Sequence, residues 1–102
     1  MDLNGYRQRI DEIDDEILRL FAERMETAAA IAAYKREHSL PVLDPARERE
    51  KLLDVRRKSP EGMGEYAVSL YSLIMELSRS YQHSLLGTGT AQTGQLQRGD
   101  MK

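Results

Sequence analysis

The sequence predicts an all-α protein of three helices, a long first, a short second and a medium third, completed by a second copy of the same chain. Three observations predict it. Apolar residues recur in steps of three and four over residues 6–20 and again over 67–85, which is the period of a helix and not of a strand. Turn chemistry at Leu40-Pro41 and at Ser59-Pro60-Glu61-Gly62-Met63-Gly64 divides the helical stretches from one another. Finally, 102 residues make one domain at most, while the first helix alone, at about 33 residues, is about 50 Å long. A compact chain of about 100 residues has a radius of gyration near 13 Å, so that helix overhangs any globule its own chain can build.

The first helix is expected from Leu3 to about Glu37. Its stripe is Tyr6, Ile10, Ile13, Ile17 and Leu20, no Pro or Gly interrupts the run after Gly5, and Ala at 22, 28, 29, 30, 32 and 33 favours helix throughout. Continued in the same steps, the stripe meets Arg24, Ala28, Ile31 and Lys35. Its first half is greasy, and its second half carries two cations where a core should be. Arg24 and Lys35 lie about three turns apart and nearly in line. Charge cannot be buried unpaired without a cost of several kcal/mol or more. Either both cations reach solvent or acids on neighbouring helices, or they line a pocket for an anionic ligand. The other helices are shorter and cannot cover the stripe from Tyr6 to Leu20, so an obligate dimer about a twofold axis is expected.

His38-Ser39-Leu40-Pro41-Val42-Leu43 is a connector, because Pro41 lacks the N–H a helix needs and pushes Leu40 towards extended backbone. Asp44 is a good N-cap and Pro45 a good first helical residue, which starts a second helix running to about Lys58 with Leu52 and Val55 inward. The third helix is expected over about 65–86. Its stripe is Ala67, Leu70, Ile74, Leu77, Tyr81 and Leu85, and beside it runs a second line, Tyr71, Met75, Ser78 and Gln82, that turns polar at its end. Exposed Ser and Gln are ordinary on a helix and carry no function by themselves. Residues 87–102, GTGTAQTGQLQRGDMK, show no periodicity and four glycines. They read as a disordered tail or a linker stub following a helical domain over 1–86.

Composition narrows the function. No apolar run approaches the ~20 residues of a membrane span, and MDLNGYRQR lacks the apolar core of a signal peptide, so a cytoplasmic protein is expected. The absence of cysteine excludes disulfides, thiolate metal sites and a cysteine nucleophile. A net charge of −2 argues against nucleic acid as partner. His38 and His83 lack companions at metal-ligand spacing, and there is neither a glycine-rich phosphate loop nor a Ser-His-Asp arrangement. Asp44, Glu48 and Glu50 suit the start of a helix, whereas Arg47 opposes its dipole and is better tolerated beside an anion. What remains is a set of arginines, a lysine, a glutamate and neutral hydrogen bonders, suited to clamping a polyanion and stabilising developing charge without metal or covalent chemistry.

Tyr6-Arg7-Gln8-Arg9-Ile10-Asp11-Glu12-Ile13-Asp14, Ala22-Glu23-Arg24, Tyr34-Lys35, Pro41-Val42, Asp44-Pro45-Ala46-Arg47-Glu48, and Ser78 with Gln82 together resemble the all-helical (AroQ-class) chorismate mutases, three-helix chains that form intertwined dimers. The resemblance covers about residues 3–86, and the ordered set is far more specific than any one piece. It implies the pericyclic rearrangement of chorismate to prephenate in phenylalanine and tyrosine biosynthesis, without cofactor. By similarity Arg24 and Arg7 clamp carboxylates, Lys35 and Gln82 donate to the ether oxygen, Glu48 and the backbone at Asp44 take the ring hydroxyl, and Arg47 and Ser78 complete the carboxylate contacts. Arg7 and Arg24 are about 25 Å apart along one helix and about 100° apart around it, so one chain cannot bring both to one small molecule. If Arg7 serves the site, it comes from the partner. An isochorismate pyruvate-lyase or an aminodeoxychorismate mutase on the same scaffold would use much the same clamp. A non-catalytic dimerisation or regulatory module is the alternative of another class.

Overall fold

A computed structural model describes residues 2–85. Among these the architecture is all-helical, with α1 over Leu3–Glu37, α2 over Pro45–Lys58 and α3 over Gly64–Leu85. The expected helix limits hold to within a residue, while Leu86 and the tail expected over 87–102 lie outside the described residues. Asp2 caps α1 by accepting the Gly5 N–H at 2.9 Å. Asp44 caps α2 by accepting the Arg47 N–H at 3.1 Å, with Pro45 as its first residue. Both are the expected use of a carboxylate at an orphaned helix start.

The end of α1 is less ordinary. The Ser39 N–H bonds to Arg36 O at 3.2 Å and the Leu40 N–H to Lys35 O at 2.7 Å, the paired closing bonds of a Schellman motif. Such a turn needs one left-handed residue, usually glycine, and here Ser39 takes it with φ 57°. The turn between α2 and α3 is closed by Met63 N–H to Pro60 O at 3.0 Å and has Gly62 at φ 86°, where a side chain would be strained. Toward the end of α2, Asp54 accepts from Lys58 and is flanked by Arg57 and Lys51, and these cations hold its carboxyl below the usual carboxylate value.

Within one chain the hub is α3, against which both α1 and α2 pack. The face it presents to α1 is the second line, not the greasier stripe. Met75 and Ser78 are buried on that line, with Ser78 hydrogen-bonded to Arg24 and Met25 of α1, whereas Leu70, Leu77, Tyr81 and Leu85 of the main stripe stay exposed. The apolar half of α1 is likewise uncovered, with Tyr6, Ile10, Ile17 and Leu20 each more than half exposed. The outline is elongated, 54 × 35 × 19 Å with a radius of gyration of 16.5 Å, and its longest dimension is about the length of α1 itself. No helix among the described residues is long and apolar enough to cross a membrane.

Candidate active site

Where α1 passes α3, the connector and the start of α2 close a cavity of about 320 Å³, a size suited to a small molecule. Arg24, Ala28, Ile31 and Lys35, the continuation of the α1 stripe, form one wall. Asp44, Arg47 and Glu48 come from the first turn of α2, and Ser78 and Gln82 from the second line of α3. Of the residues expected to form a site, all but Arg7 therefore gather in one place. Arg7 is exposed on the far part of α1 and does not line the cavity, as its separation from Arg24 requires.

The two stripe cations are held by neutral partners. The Arg24 guanidinium donates to Ser78 Oγ at 3.3 Å and lies 5.9 Å from the centroid of the Tyr71 ring. Ser78 in turn donates to Met25 Sδ at 3.5 Å. This small network satisfies a hydroxyl that is buried, not exposed as such residues commonly are. Lys35 Nζ donates to the Val42 carbonyl at 3.2 Å, which leaves two ammonium protons for another acceptor. Neither cation meets a carboxylate among the described residues. Pairing with acids of neighbouring helices, the structural use foreseen for them, is not realised among the described residues.

Gln82 donates one amide hydrogen to Ala28 O at 2.8 Å and keeps a second N–H. Arg47, which opposes the dipole of α2, pairs with Glu50 at 3.1 Å on the open side of the site. Asp44 O accepts the Glu48 N–H at 3.1 Å as the first bond of the helix. Lys51 and Arg79 also line the cavity, and neither stands out in the sequence. Arg79 sits beside Ser78 at no distinctive helical offset, and its carboxylate partner Glu48 is 31 residues away, a relation no local spacing reveals. Five cations, Arg24, Lys35, Arg47, Lys51 and Arg79, thus face two carboxylates, Asp44 and Glu48. A concave site of that balance attracts an anion of more than one charge. Neither histidine lines it, and no group of three or more potential metal ligands assembles among the described residues.

The family described as chorismate mutase type II matches residues 6–83. The chain is 30% identical over 82 residues to the chorismate mutase of Methanocaldococcus jannaschii, covering 78% of this chain and 83% of that protein. It is 35% identical over 89 residues to the bifunctional chorismate mutase/prephenate dehydratase of Aquifex aeolicus, covering 82% of this chain and 25% of that one. It is 37% identical over 62 residues to the T-protein of Haemophilus influenzae, covering 61% of this chain and 16% of that protein. No solved structure matches. With a family match spanning most of the sequence and the expected residues converging on one cationic cavity, the chain belongs to the chorismate mutase type II family.

Proposed function

We infer that this chain rearranges chorismate to prephenate, working as a homodimer whose sites each borrow Arg7 from the second copy. Beyond family membership, the observation that carries this is the pair Arg24 and Lys35, which face a cavity of suitable size with only neutral protein partners. The reaction is unimolecular and pericyclic, so the protein supplies orientation and electrostatics. Arg24 and Arg7 hold the two carboxylates, with a guanidinium able to bond a carboxylate through two parallel N–H groups. Arg47 and Ser78 complete those contacts. The remaining protons on Lys35 and Gln82 point to the ether oxygen, where charge builds as its bond to the ring breaks. Because Val42 O and Ala28 O already anchor both donors, little reorganisation is needed as the charge develops. Glu48 and the backbone at Asp44 take the ring hydroxyl. The expected cytoplasmic setting is part of the same proposal.

The dimer is supported by the uncovered stripes of α1 and α3, a larger apolar surface than an isolated soluble domain ordinarily leaves in water. Twofold pairing of two chains along α1 would cover both and place Arg7 of one near the cavity of the other. The test is direct. Purified protein is incubated at neutral pH with chorismate and, separately, with isochorismate, with and without chelator, and the products are identified. Prephenate from chorismate, unchanged by chelator, is expected. Pyruvate from isochorismate with little prephenate would assign the lyase instead. A well-folded dimer that forms neither product would be a non-catalytic module.

A further inference from the structure

Arg79 and Glu48 are the most covered ion pair joining two helices of the described chain. Arg79 Nη1 donates to Glu48 Oε1 at 2.5 Å, from α3 to α2, with the side chains 37% and 31% exposed. The other interhelical pair, Arg56 with Glu65, is more exposed and lies away from the cavity. Glu48 has a second oxygen, Oε2, which no donor of the described residues engages. A carboxylate on a flexible side chain can turn away from a ligand, but one tied through a single oxygen presents the other in a fixed direction. A guanidinium suits this task, being a rigid fork that always carries its charge.

We propose that Arg79 is a positioning residue for Glu48: it fixes the carboxylate so that Oε2 accepts a hydrogen bond from the ring hydroxyl of the substrate. The inference rests on the mutase function proposed above, in which Glu48 takes that hydroxyl. Arg79 itself does not touch the substrate. It acts through Glu48, so its removal matters only while Glu48 can still accept.

A double-mutant cycle tests this. Arg79→Met, Glu48→Gln and the double variant are compared with the wild type by kcat/KM for chorismate, with thermal melting and sedimentation as checks on fold and assembly. Arg79→Met is expected to lower kcat/KM about 10- to 100-fold, the scale of loss when a contact group is misplaced by about 1 Å. Combining it with Glu48→Gln is expected to add almost nothing to the loss from Glu48→Gln alone. Arg79→Lys, which keeps a charged donor but not the fork, should recover part of the loss. Multiplying losses in the double variant would mean that Arg79 touches the substrate or merely props the fold, and would overturn the proposal. So would wild-type turnover by a folded Arg79→Met, or failure of Arg79→Lys to recover anything while melting as the wild type does. Turnover by the wild type separates the two levels. If the wild type forms no prephenate, the mutase function falls and this role with it. If it does and the losses multiply, only the role of Arg79 falls.

Discussion

Replacing Gln82 with glutamate changes one N–H-bearing amide for an oxygen of nearly the same size, and the structure gives the consequence in numbers. Gln82 spends one hydrogen on Ala28 O at 2.8 Å and, in the proposed mechanism, the other on the ether oxygen. An ionised carboxylate has neither hydrogen and sets negative charge against both acceptors. Losing a donor to developing charge costs about 10²–10³ in rate. A glutamate with its ordinary pKa near 4.3 carries a proton in about one site in 10³–10⁴ at pH 8. The Gln82→Glu variant should therefore sit on a floor about 10²–10³ below wild type at pH 8. Below about pH 7 its rate should climb close to tenfold per pH unit as the protonated fraction overtakes the floor. The wild type should remain active through pH 7 to 8. Initial rates of chorismate consumption from pH 5 to 8 give both curves, and thermal melting confirms the fold, for which the lost bond to Ala28 O costs about 1 kcal/mol. Wild-type activity of the variant at pH 8 would remove Gln82 as a donor to the ether oxygen.

Arg7→Ala and Lys35→Ala should each be nearly inactive, yet mixed and re-equilibrated chains should recover about a quarter of wild-type sites, because half the dimers then carry one intact site of two. No recovery despite demonstrated subunit exchange would refute a site shared between chains, and sedimentation showing a folded monomer at micromolar concentration would refute the obligate dimer. Ser39→Gly should raise stability by about 0.5 kcal/mol in denaturant melts, since glycine relieves the left-handed backbone at φ 57° but loses more freedom on folding. Asp54→Asn should lower the melting temperature at pH 7. The folded carboxyl titrates below its usual value, first through its hydrogen bond with Lys58, so its contribution is present above about pH 4 and vanishes as pH falls through the depressed value. The gap between variant and wild type should narrow as pH falls below the usual carboxylate value, and a gap that is constant with pH would mean the ion pairs play no part.

Periodicity placed α1 and α3, and the local rules obeyed at Asp44 and Pro45 placed the start of α2, whereas the Asp2 cap of α1 emerged only from the structure. The cavity was legible through Arg24 and Lys35, whose position on an apolar stripe asks for an anion. Other features depended on tertiary choice. Two adjacent stripes of α3 are both plausible inner faces, and the chain packs the one ending in Ser78 and Gln82 on α1 while leaving Leu70, Leu77 and Tyr81 outside. Hydrophobicity alone ranks them the other way, because a single sequence does not say which face meets its own chain. Arg79 was invisible for a related reason, its meaning residing in a contact with Glu48 across two helices. The left-handed Ser39 lacks the glycine that usually announces such a turn.

Lys35 holds the connector at two points: its carbonyl takes the Leu40 N–H and its ammonium the Val42 carbonyl. For anyone inserting a tag, a sensor or another domain, this makes the six residues 38–43 a segment of fixed length. An extra residue there need not unfold the chain, but it would release the lysine from its anchor, so expression and solubility would report success while turnover disappeared. The turn at 60–63 has its own closing bond and lies outside the cavity. Grafts belong at that end, where added length carries no consequence for the ammonium group.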